Sequence, residues 1–225
     1  MIARIDPEGT DAGALQGICM QSWTGVKASF AALCALFIST NTAIPAQAGA
    51  TPWMQTGAVT SQPIGHYEFC QKHRGECSVR SKATVPPRVT AGGWAAIRQV
   101  NASVNRQIAP VTDIELTGRD EVWSYPGRQG DCEDFALEKR RRLMQKGFSA
   151  GNLLMTVVRK PDGEGHAVLT VRTAQGDFVL DNLDDGVKLW THTPYRFLKR
   201  QATNHSGRWV TIDNSGEVLV GSVGN

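Results

Sequence analysis

The sequence predicts an α+β fold in which helices come first and pack against an antiparallel sheet that follows them. Residues 92–108 carry apolar side chains at the period of an amphipathic helix, at Ile97, Val100, Val104 and Ile108. From residue 153 onward, short apolar stretches alternate with turn sequences such as Pro161-Asp162-Gly163. Helices that precede a run of hairpin-linked strands are typical of the α+β class.

The remaining elements follow from the same patterns. A second helix is predicted over residues 132–146, with Asp131 as its N-cap and Gly147 at its end. The predicted strands are Leu153–Arg159, His166–Arg172, Asp177–Leu180 and Val187–Trp190, with Arg208–Ile212 and Val218–Val220 as further short strands. Residues 49–65 are rich in Gly, Thr, Ser, Ala and Pro, and we expect them to be irregular.

Size and charge limit the function classes. The chain has 225 residues, enough for one domain of ordinary size with a real core. Its net charge of +3 is small, and its one dense basic run, residues 139–142, falls within a predicted helix. A solvated helix face explains such a run better than a nucleic-acid surface does, because phosphate-binding domains usually carry a basic stripe.

The N-terminal region predicts export. Residues 28–38 form an apolar run preceded by Lys27, and Ala46-Gln47-Ala48 downstream matches a signal-peptide cleavage site. We therefore expect residues 1–48 to contain a cleaved leader, with the mature protein in the periplasm or secreted. The acidic residues before Met20 do not suit a leader, so Met20 is the expected start of translation.

Behind the leader we expect an irregular arm, residues 49–90, and then a domain over residues 91–225. Cys70 and Cys77 lie close together in the arm, and in an oxidising compartment they are expected to form a disulfide. A zinc site with His73 as the third ligand is the alternative, although a second ligand pair of standard spacing is missing. Either arrangement leaves Cys132 as an unpaired thiol in the mature chain, which is a reason to expect reactivity.

Cys132, His166 and Asp181 form the constellation that predicts chemistry. The predicted fold puts Cys132 at a helix start, where the helix dipole and a neighbouring imidazolium would lower the pKa of a thiol. His166 begins a strand, and Asp181 ends the next one, so a single hairpin separates the two. An aspartate beside the imidazole would fix its tautomer and orientation. Each residue alone has a structural explanation, and only the set in this order indicates a nucleophile, a general base and an orienting acid.

Acidic residues surround that cysteine. Asp131, Glu133 and Asp134 would raise the pKa of the thiol by repulsion, against the needs of a nucleophile. Helix capping, an ion pair with Arg128 or with the basic run, or a bound Ca²⁺ could each neutralise part of this charge.

These motifs resemble one known family. The quoted segments are Gly130-Asp131-Cys132-Glu133-Asp134, then Gly165-His166-Ala167-Val168-Leu169, then Val179-Leu180-Asp181-Asn182. In that order they are similar to the bacterial transglutaminase-like cysteine peptidases, which include the LapG-type periplasmic proteases that release biofilm adhesins. The resemblance covers roughly residues 66–190. The arm with Cys70 and Cys77 departs from it, which leaves the substrate more open than the chemistry.

The resemblance implies a papain-like core and a cysteine peptidase with Cys132, His166 and Asp181 as its triad. It implies Ca²⁺ bound by Asp131 and Glu133, with Asp134 as a further ligand, and a protein substrate such as a surface adhesin, with a membrane-bound receptor as a regulator. For the oxyanion, the Cys132 backbone N–H is a physical expectation, and Trp123 is either a second donor or a core residue. Acyl transfer to an amine, as in transglutaminases or amidases, and a non-catalytic calcium-binding module are the alternatives.

Overall fold

The computed structural model describes residues 51–82 and 85–213. The strands are β1 Gln55–Thr60, β2 Ala109–Pro110, β3 Gln129–Gly130, β4 Leu153–Arg159, β5 Gly165–Thr173, β6 Gly176–Leu180, β7 Lys188–Leu189, β8 Arg196–Ala202 and β9 His205–Asp213. The helices are α1 Ile64–Lys72, α2 Arg74–Cys77, α3 Ala91–Gln107, α4 Asp113–Thr117 and α5 Cys132–Gln145, with one-turn 3₁₀ helices at Ala150–Asn152 and Trp190–His192.

One antiparallel sheet organises the fold. Its strand order is β1-β9-β8-β4-β5-β6-β7, so β4 and β5 lie near its centre. Helix α5 packs on β4 and β5, and α3 packs on α5. Strands β2 and β3 form a separate short parallel pair just before α5. This pair fixes the backbone that leads into α5, and it therefore sets where Cys132 begins that helix.

The core lies on both faces of the sheet. On the helical face, Ile97 and Val104 of α3 and Leu137 of α5 pack with Met155 and Leu169 of the central strands. The opposite face carries a smaller apolar group, which comprises Met54, Val158, Val168, Val179, Phe197 and Ile212. Alternate residues of β4 and β5 thus point to opposite faces, and both faces are buried.

The predicted α+β architecture is confirmed, and so are the two long helices and the strands from β4 to β7 and β9, within one or two residues for most of them. Two details differ. Asp131 is the N-cap residue of α5, but its side chain makes no capping hydrogen bond to that helix. Strand β8 was not predicted, because its buried positions include Arg200 and Gln201 and its sequence looks polar.

The expectation that residues 49–65 are irregular is wrong. Residues Gln55–Thr60 form an edge strand that pairs with β9, and all but the last of them are exposed. With no apolar face, this strand left no periodic signal. Gly57 lies in this strand beside β9. A Cβ at this position would lie 2.6 Å from Thr211 Oγ1, so a larger residue would crowd the neighbouring strand. Strand β1, which lies in the segment expected to be an irregular arm, is therefore part of the same sheet as β4 and β5.

Cys70 and Cys77 form a disulfide between α1 and α2. The histidine beside the two sulfurs is His66, not His73, and its Nδ1 lies 3.5 Å from Cys70 Sγ. His66 is buried and contacts Trp123 and Trp209, which ties this cross-linked segment to the core.

The predicted leader, the expected start at Met20, the cleavage site at Ala48 and the predicted strand Val218–Val220 lie outside the described residues. Within the described part of the chain, no helix is both long enough and apolar enough to span a membrane.

Gly65 provides a test of how α1 is seated. A Cβ at this position would lie 2.3 Å from Trp123 Cδ1 and 2.5 Å from the Glu121 carbonyl oxygen. We expect Gly65→Ala to lower the free energy of unfolding by about 1–3 kcal/mol through overpacking. The matched control is Gly75→Ala in α2, where a Cβ meets no atom within 4 Å. Urea unfolding checks both variants, and equal stabilities would contradict the close packing of α1 on Trp123.

Candidate active site

Cys132 is the first residue of α5, and its thiol lies between that helix and β5. The Ala167 backbone N–H donates to Cys132 Sγ at 3.3 Å, which attaches the thiol to the strand that carries His166. The thiol itself donates to Glu133 Oε2 at 3.2 Å. Cys132 is half-buried and is the one free cysteine among the described residues. Packing of α5 on β5 thus places a single thiol beside the expected general base.

His166 and Asp181 are brought together by the β5–β6 hairpin. The register pairs Leu169 with Leu180, so Asp181 follows at the end of β6 beside the start of β5. His166 Nε2 lies 2.9 Å from Asp181 Oδ1, and both side chains are buried. Because a carboxylate only accepts, Nε2 carries the proton and donates it to Asp181. The other ring nitrogen, Nδ1, makes no contact with this carboxylate.

The Asp181 carboxylate has further partners that the sequence did not reveal. The Tyr195 hydroxyl donates to Oδ2 at 2.5 Å, and the Leu183 N–H donates to Oδ1 at 3.0 Å. Burial opposes the charge of Asp181, but the hydrogen bonds from His166 and Tyr195 outweigh it, and its pKa lies below the usual value. Tyr195 precedes an unpredicted strand, so only the fold brings it to the site.

A cleft of about 290 Å³ opens over these groups. Cys132 and His166 both line it, and Pro63 and Ile64 at the start of α1 form part of its wall. His166 Nδ1 makes no hydrogen bond to any described residue, and no hydrogen bond joins His166 to the thiol. The thiol and the imidazole therefore face a common space and are not yet bonded to each other.

The electrostatic environment of Cys132 differs from the sequence expectation. The helix start and the imidazole were expected to lower the pKa of the thiol. In the structure, burial and the neighbouring Glu133 carboxylate raise the pKa of Cys132 far above its usual value. The repulsion anticipated from the acidic residues is present, and it adds to burial, which is the larger cause of the raised pKa.

The acidic cluster contains a residue that the sequence did not indicate. Asp113, Asp131 and Asp134 place carboxylate oxygens within 4.8 Å of one another. The Asp113 N–H donates to Asp131 Oδ2 at 3.2 Å, because α4 begins beside the start of α5. Glu133, one of the three expected ligands, is not in this group. Its side chain lies instead between Cys132 and Asp131.

This cluster suits a cation by its chemistry. Asp131 Oδ1 is buried and has no hydrogen-bond donor among the described residues. Burial and the charges of Asp131 and Asp113 raise the pKa of Asp134 to about 7, and burial with the Asp131 charge raises the pKa of Glu133 well above its usual value. Several carboxylates that resist ionisation together, all with oxygen donors, fit a hard divalent ion such as Ca²⁺.

Close packing explains Gly130 and one of the two alternatives for Trp123. A Cβ on Gly130 would lie 2.6 Å from Asp134 Oδ2, so this glycine makes room for the Asp134 carboxylate. Trp123 lines the cleft, but it is 4% exposed and its Nε1–H donates to Glu121 Oε2 at 3.1 Å. Its indole also packs against His66 and Trp209. The core role of Trp123 is established, while its N–H already has an acceptor.

Polar groups behind Asp181 were also missed by the sequence. Asn105 of α3 donates from Nδ2 to the Asp181 carbonyl oxygen at 2.9 Å and to Asp185 Oδ1 at 2.7 Å. Lys139 of α5 is fully buried, and its Nζ has no hydrogen-bond partner among the described residues. Burial lowers the pKa of Lys139 to about 7, although the charges of Asp181 and Asp185 oppose this. The loop after β6 is therefore hydrogen-bonded to α3, and the buried Lys139 ammonium of α5 lies in the electrostatic field of the same two aspartates.

Comparison with known proteins indicates which family this chain is similar to. The sequence pattern of the bacterial transglutaminase-like cysteine proteinases matches residues 56–217. No protein with curated annotation matches the chain. Three similar solved structures are of LapG from Legionella pneumophila. The calcium-bound form is 25% identical, with a TM-score of 0.46 over 52% of this chain and 68% of that one. A second LapG structure is 23% identical, with a TM-score of 0.44 over 67% and 81% of the two chains. The EGTA-treated form is 21% identical, with a TM-score of 0.45 over 71% and 87%.

The contact between Tyr195 and Asp181 predicts a pH-dependent loss of stability. The pKa of Asp181 is lowered in the folded protein, so its charge stabilises the fold above the unfolded pKa, and this contribution is lost as pH falls. We expect Tyr195→Phe to cost about 1.5–3 kcal/mol at neutral pH, where the hydroxyl donates to a charged carboxylate. The cost should shrink at about pH 3, as the pH falls below the usual aspartate pKa of about 3.9 toward the lowered pKa of Asp181 in the folded protein.

Urea unfolding of both proteins at the two pH values provides the check. The matched control is Tyr67→Phe on α1, an exposed tyrosine that should leave stability unchanged at both. A Tyr195→Phe cost that does not vary with pH would show that the hydroxyl does not stabilise the charged form of Asp181.

Proposed function

This chain belongs to the bacterial transglutaminase-like cysteine proteinases, and on that premise we propose that it hydrolyses a peptide bond with Cys132, His166 and Asp181. The observation that carries the proposal is the hydrogen bond of 2.9 Å between His166 Nε2 and Asp181 Oδ1, with Nδ1 left open to the cleft that Cys132 lines. This is the arrangement that a base needs to accept a proton from a thiol in the same cleft.

In the proposed reaction, the thiol proton moves to His166 Nδ1 and Cys132 Sγ bonds to the carbonyl carbon of the substrate. The C–N bond then breaks, and the imidazolium returns the proton to the departing amine. Water, deprotonated by the same nitrogen, attacks the thioester and releases the acid together with the free thiol. Asp181 stabilises the imidazolium, while Tyr195 and the Leu183 N–H hold Asp181 in place.

The resting contact of the thiol must change for this to occur. Cys132 now donates to Glu133, and burial and the Glu133 charge disfavour the thiolate. We propose that Asp113, Asp131 and Asp134 hold Ca²⁺, with Glu133 beside them. Calcium bound there supplies positive charge next to Cys132, which offsets the carboxylates and favours the thiolate.

The substrate is proposed to be a protein outside the cytoplasm, with a surface adhesin as a candidate. The leader-like segment that ends at Ala48 supports this placement, as does the disulfide, which persists in oxidising compartments. A membrane-bound receptor that presents or withholds the enzyme belongs to the same proposal. Transfer of the acyl group to an amine would use the same three residues.

Proteolysis can be tested without knowing the substrate. The purified protein with calcium is incubated with the producing cell's surface and periplasmic proteins, and new amino termini are labelled and identified by mass spectrometry. We expect new termini with the wild type and none with Cys132→Ser, whose hydroxyl this base cannot activate comparably. His166→Ala should reduce their rate of formation by about 100-fold or more, since general base catalysis is lost.

The control for His166 is His192→Ala, an exposed histidine that should leave the rate unchanged.

The same labelling should recover this protein from the periplasmic fraction with an amino terminus at Gly49. Equal sets of termini with wild type and Cys132→Ser would overturn the proposed nucleophile.

Calcium dependence is predicted to act on the thiol. Alkylation of Cys132 by iodoacetamide at about pH 6 should be slow after chelation and about tenfold faster or more with calcium, because a nearby positive charge lowers the thiol pKa. Asp113→Asn should abolish the acceleration. The control Asp120→Asn removes an exposed charge from the loop that follows α4, and this variant should retain the acceleration. An acceleration that survives in Asp113→Asn would place the cation elsewhere.

A further inference from the structure

A second pocket lies at the opposite end of α5 from Cys132. It has a volume of about 350 Å³, within the range of small-molecule sites. Its lining includes the charged and polar residues Arg88, Thr90, Lys146, Asn152 and Arg172 and the aromatic residue Phe148. Since α5 runs from Cys132 to Gln145, the pocket lies about 20 Å from the thiol. None of its lining residues belongs to the triad or the acidic cluster.

The charged residues that line this pocket in the described part of the chain are all basic. Its lining includes two arginines and a lysine, and no aspartate or glutamate is among its described lining residues. Arg172 is the innermost of the three, with a side chain that is 14% exposed. Its one acidic neighbour, Asp177 Oδ1, lies 3.7 Å from Nε and belongs to a carboxylate that also faces Arg200. Arg172 donates no hydrogen bond to any described residue, so its terminal nitrogens remain available.

Asn152 brings a buried side-chain amide to the pocket. The residue is 5% exposed, and neither its Oδ1 nor its Nδ2 forms a hydrogen bond with any described residue. A buried amide without partners is costly, and such groups are rare in folded proteins. Because an amide can present either end by rotation, Asn152 can donate to an acceptor that enters the pocket.

The start of α3 adds to the positive electrostatic potential of the pocket. This helix has 17 residues, and Thr90 and Gly93 of its first turn line the pocket. Thr90 Oγ1 caps the Gly93 N–H at 3.1 Å, while the positive end of the helix dipole remains at this end. A helix start together with arginine and lysine side chains is a favourable environment for a phosphate or a carboxylate.

The remaining wall is apolar. Pro87, Val89 and Phe148 line the pocket as well as the charged groups do. A ligand that satisfies both walls has a charged head and an apolar body, whereas a hydrated inorganic ion would leave the apolar wall unused.

We propose that this pocket binds a small organic anion, a phosphate monoester or a carboxylate, that carries an apolar or aromatic group. Arg172 and Asn152 receive the anionic head near the start of α3, and Arg88 and Lys146 at the rim complete the neutralisation. The site is distinct from the cleft and does not depend on the proposed peptidase activity.

Binding is tested by calorimetry and by the amide resonances of ¹⁵N-glycine-labelled protein. Phenyl phosphate and benzoate carry both features, inorganic phosphate carries the charge alone, and phenol carries the ring alone. We expect phenyl phosphate or benzoate to bind about tenfold more tightly than inorganic phosphate and phenol. Inorganic phosphate cannot contact the apolar residues of the pocket, and phenol cannot pair with its basic residues. The stronger of the two identifies the head group. The Gly93 and Gly147 amides should shift, and Gly165 in the catalytic cleft should not.

Charge-reversal variants locate the site. Arg88→Glu and Lys146→Glu are exposed changes that should weaken phenyl phosphate binding by about tenfold, as expected when a favourable charge is replaced by a repulsive one. The control Arg98→Glu makes the same net-charge change on the exposed side of α3 and should bind as the wild type does. Arg172→Gln should weaken binding further, but it also touches buried Asp177, so the two rim variants decide. Equal binding of phenol and phenyl phosphate, no saturable binding, or equal weakening by Arg98→Glu would overturn the proposal.

Discussion

The site depends on negative charge that is buried at the start of α5. Asp134 and Glu133 are almost inaccessible, Asp131 lies beside them, and Asp113 reaches them from α4. Helix starts favour such charge through their dipole, but one dipole is worth only about 0.3–2 kcal/mol and cannot stabilise this many carboxylates. The raised pKa values of Asp134 and Glu133 are the direct consequence. The reactive state of Cys132 is therefore coupled to whatever neutralises its neighbours.

The Asp181 side of the site favours a charged carboxylate. The pKa of Asp181 is lowered, whereas the pKa values of Cys132 and of its acidic neighbour Asp134 are raised. The difference arises from hydrogen bonds, since Asp181 accepts from His166, Tyr195 and the Leu183 backbone. Asn105 anchors the backbone of Asp181 itself through the carbonyl oxygen. The imidazole is therefore oriented by contacts that do not involve the acidic cluster beside Cys132.

Sequence reasoning located the groups that sit in periodic elements or tight motifs, and it missed those that only tertiary folding assembles. Helix α5 and strands β5 and β6 have clear patterns, so Cys132, His166 and Asp181 could be ordered along the predicted fold. Asp113 lies 18 residues from Asp131, and no local period connects them. Tyr195 reaches Asp181 from outside any predicted strand. Strand β1 was missed because an exposed edge strand is stabilised through its backbone, which leaves no apolar alternation in the sequence.

The pairing of β1 with β9 also limits the order in which parts of the chain can fold. The first strand of the described chain completes the sheet only by joining the last one, some 150 residues later. Helix α1, which follows β1 directly, supplies the Pro63 and Ile64 wall of the cleft. Strand β9 has to be synthesised before β1 can complete the sheet beside that wall. A chain synthesised only as far as β8 therefore carries Cys132 but still lacks the partner strand of the segment that leads into the cleft wall.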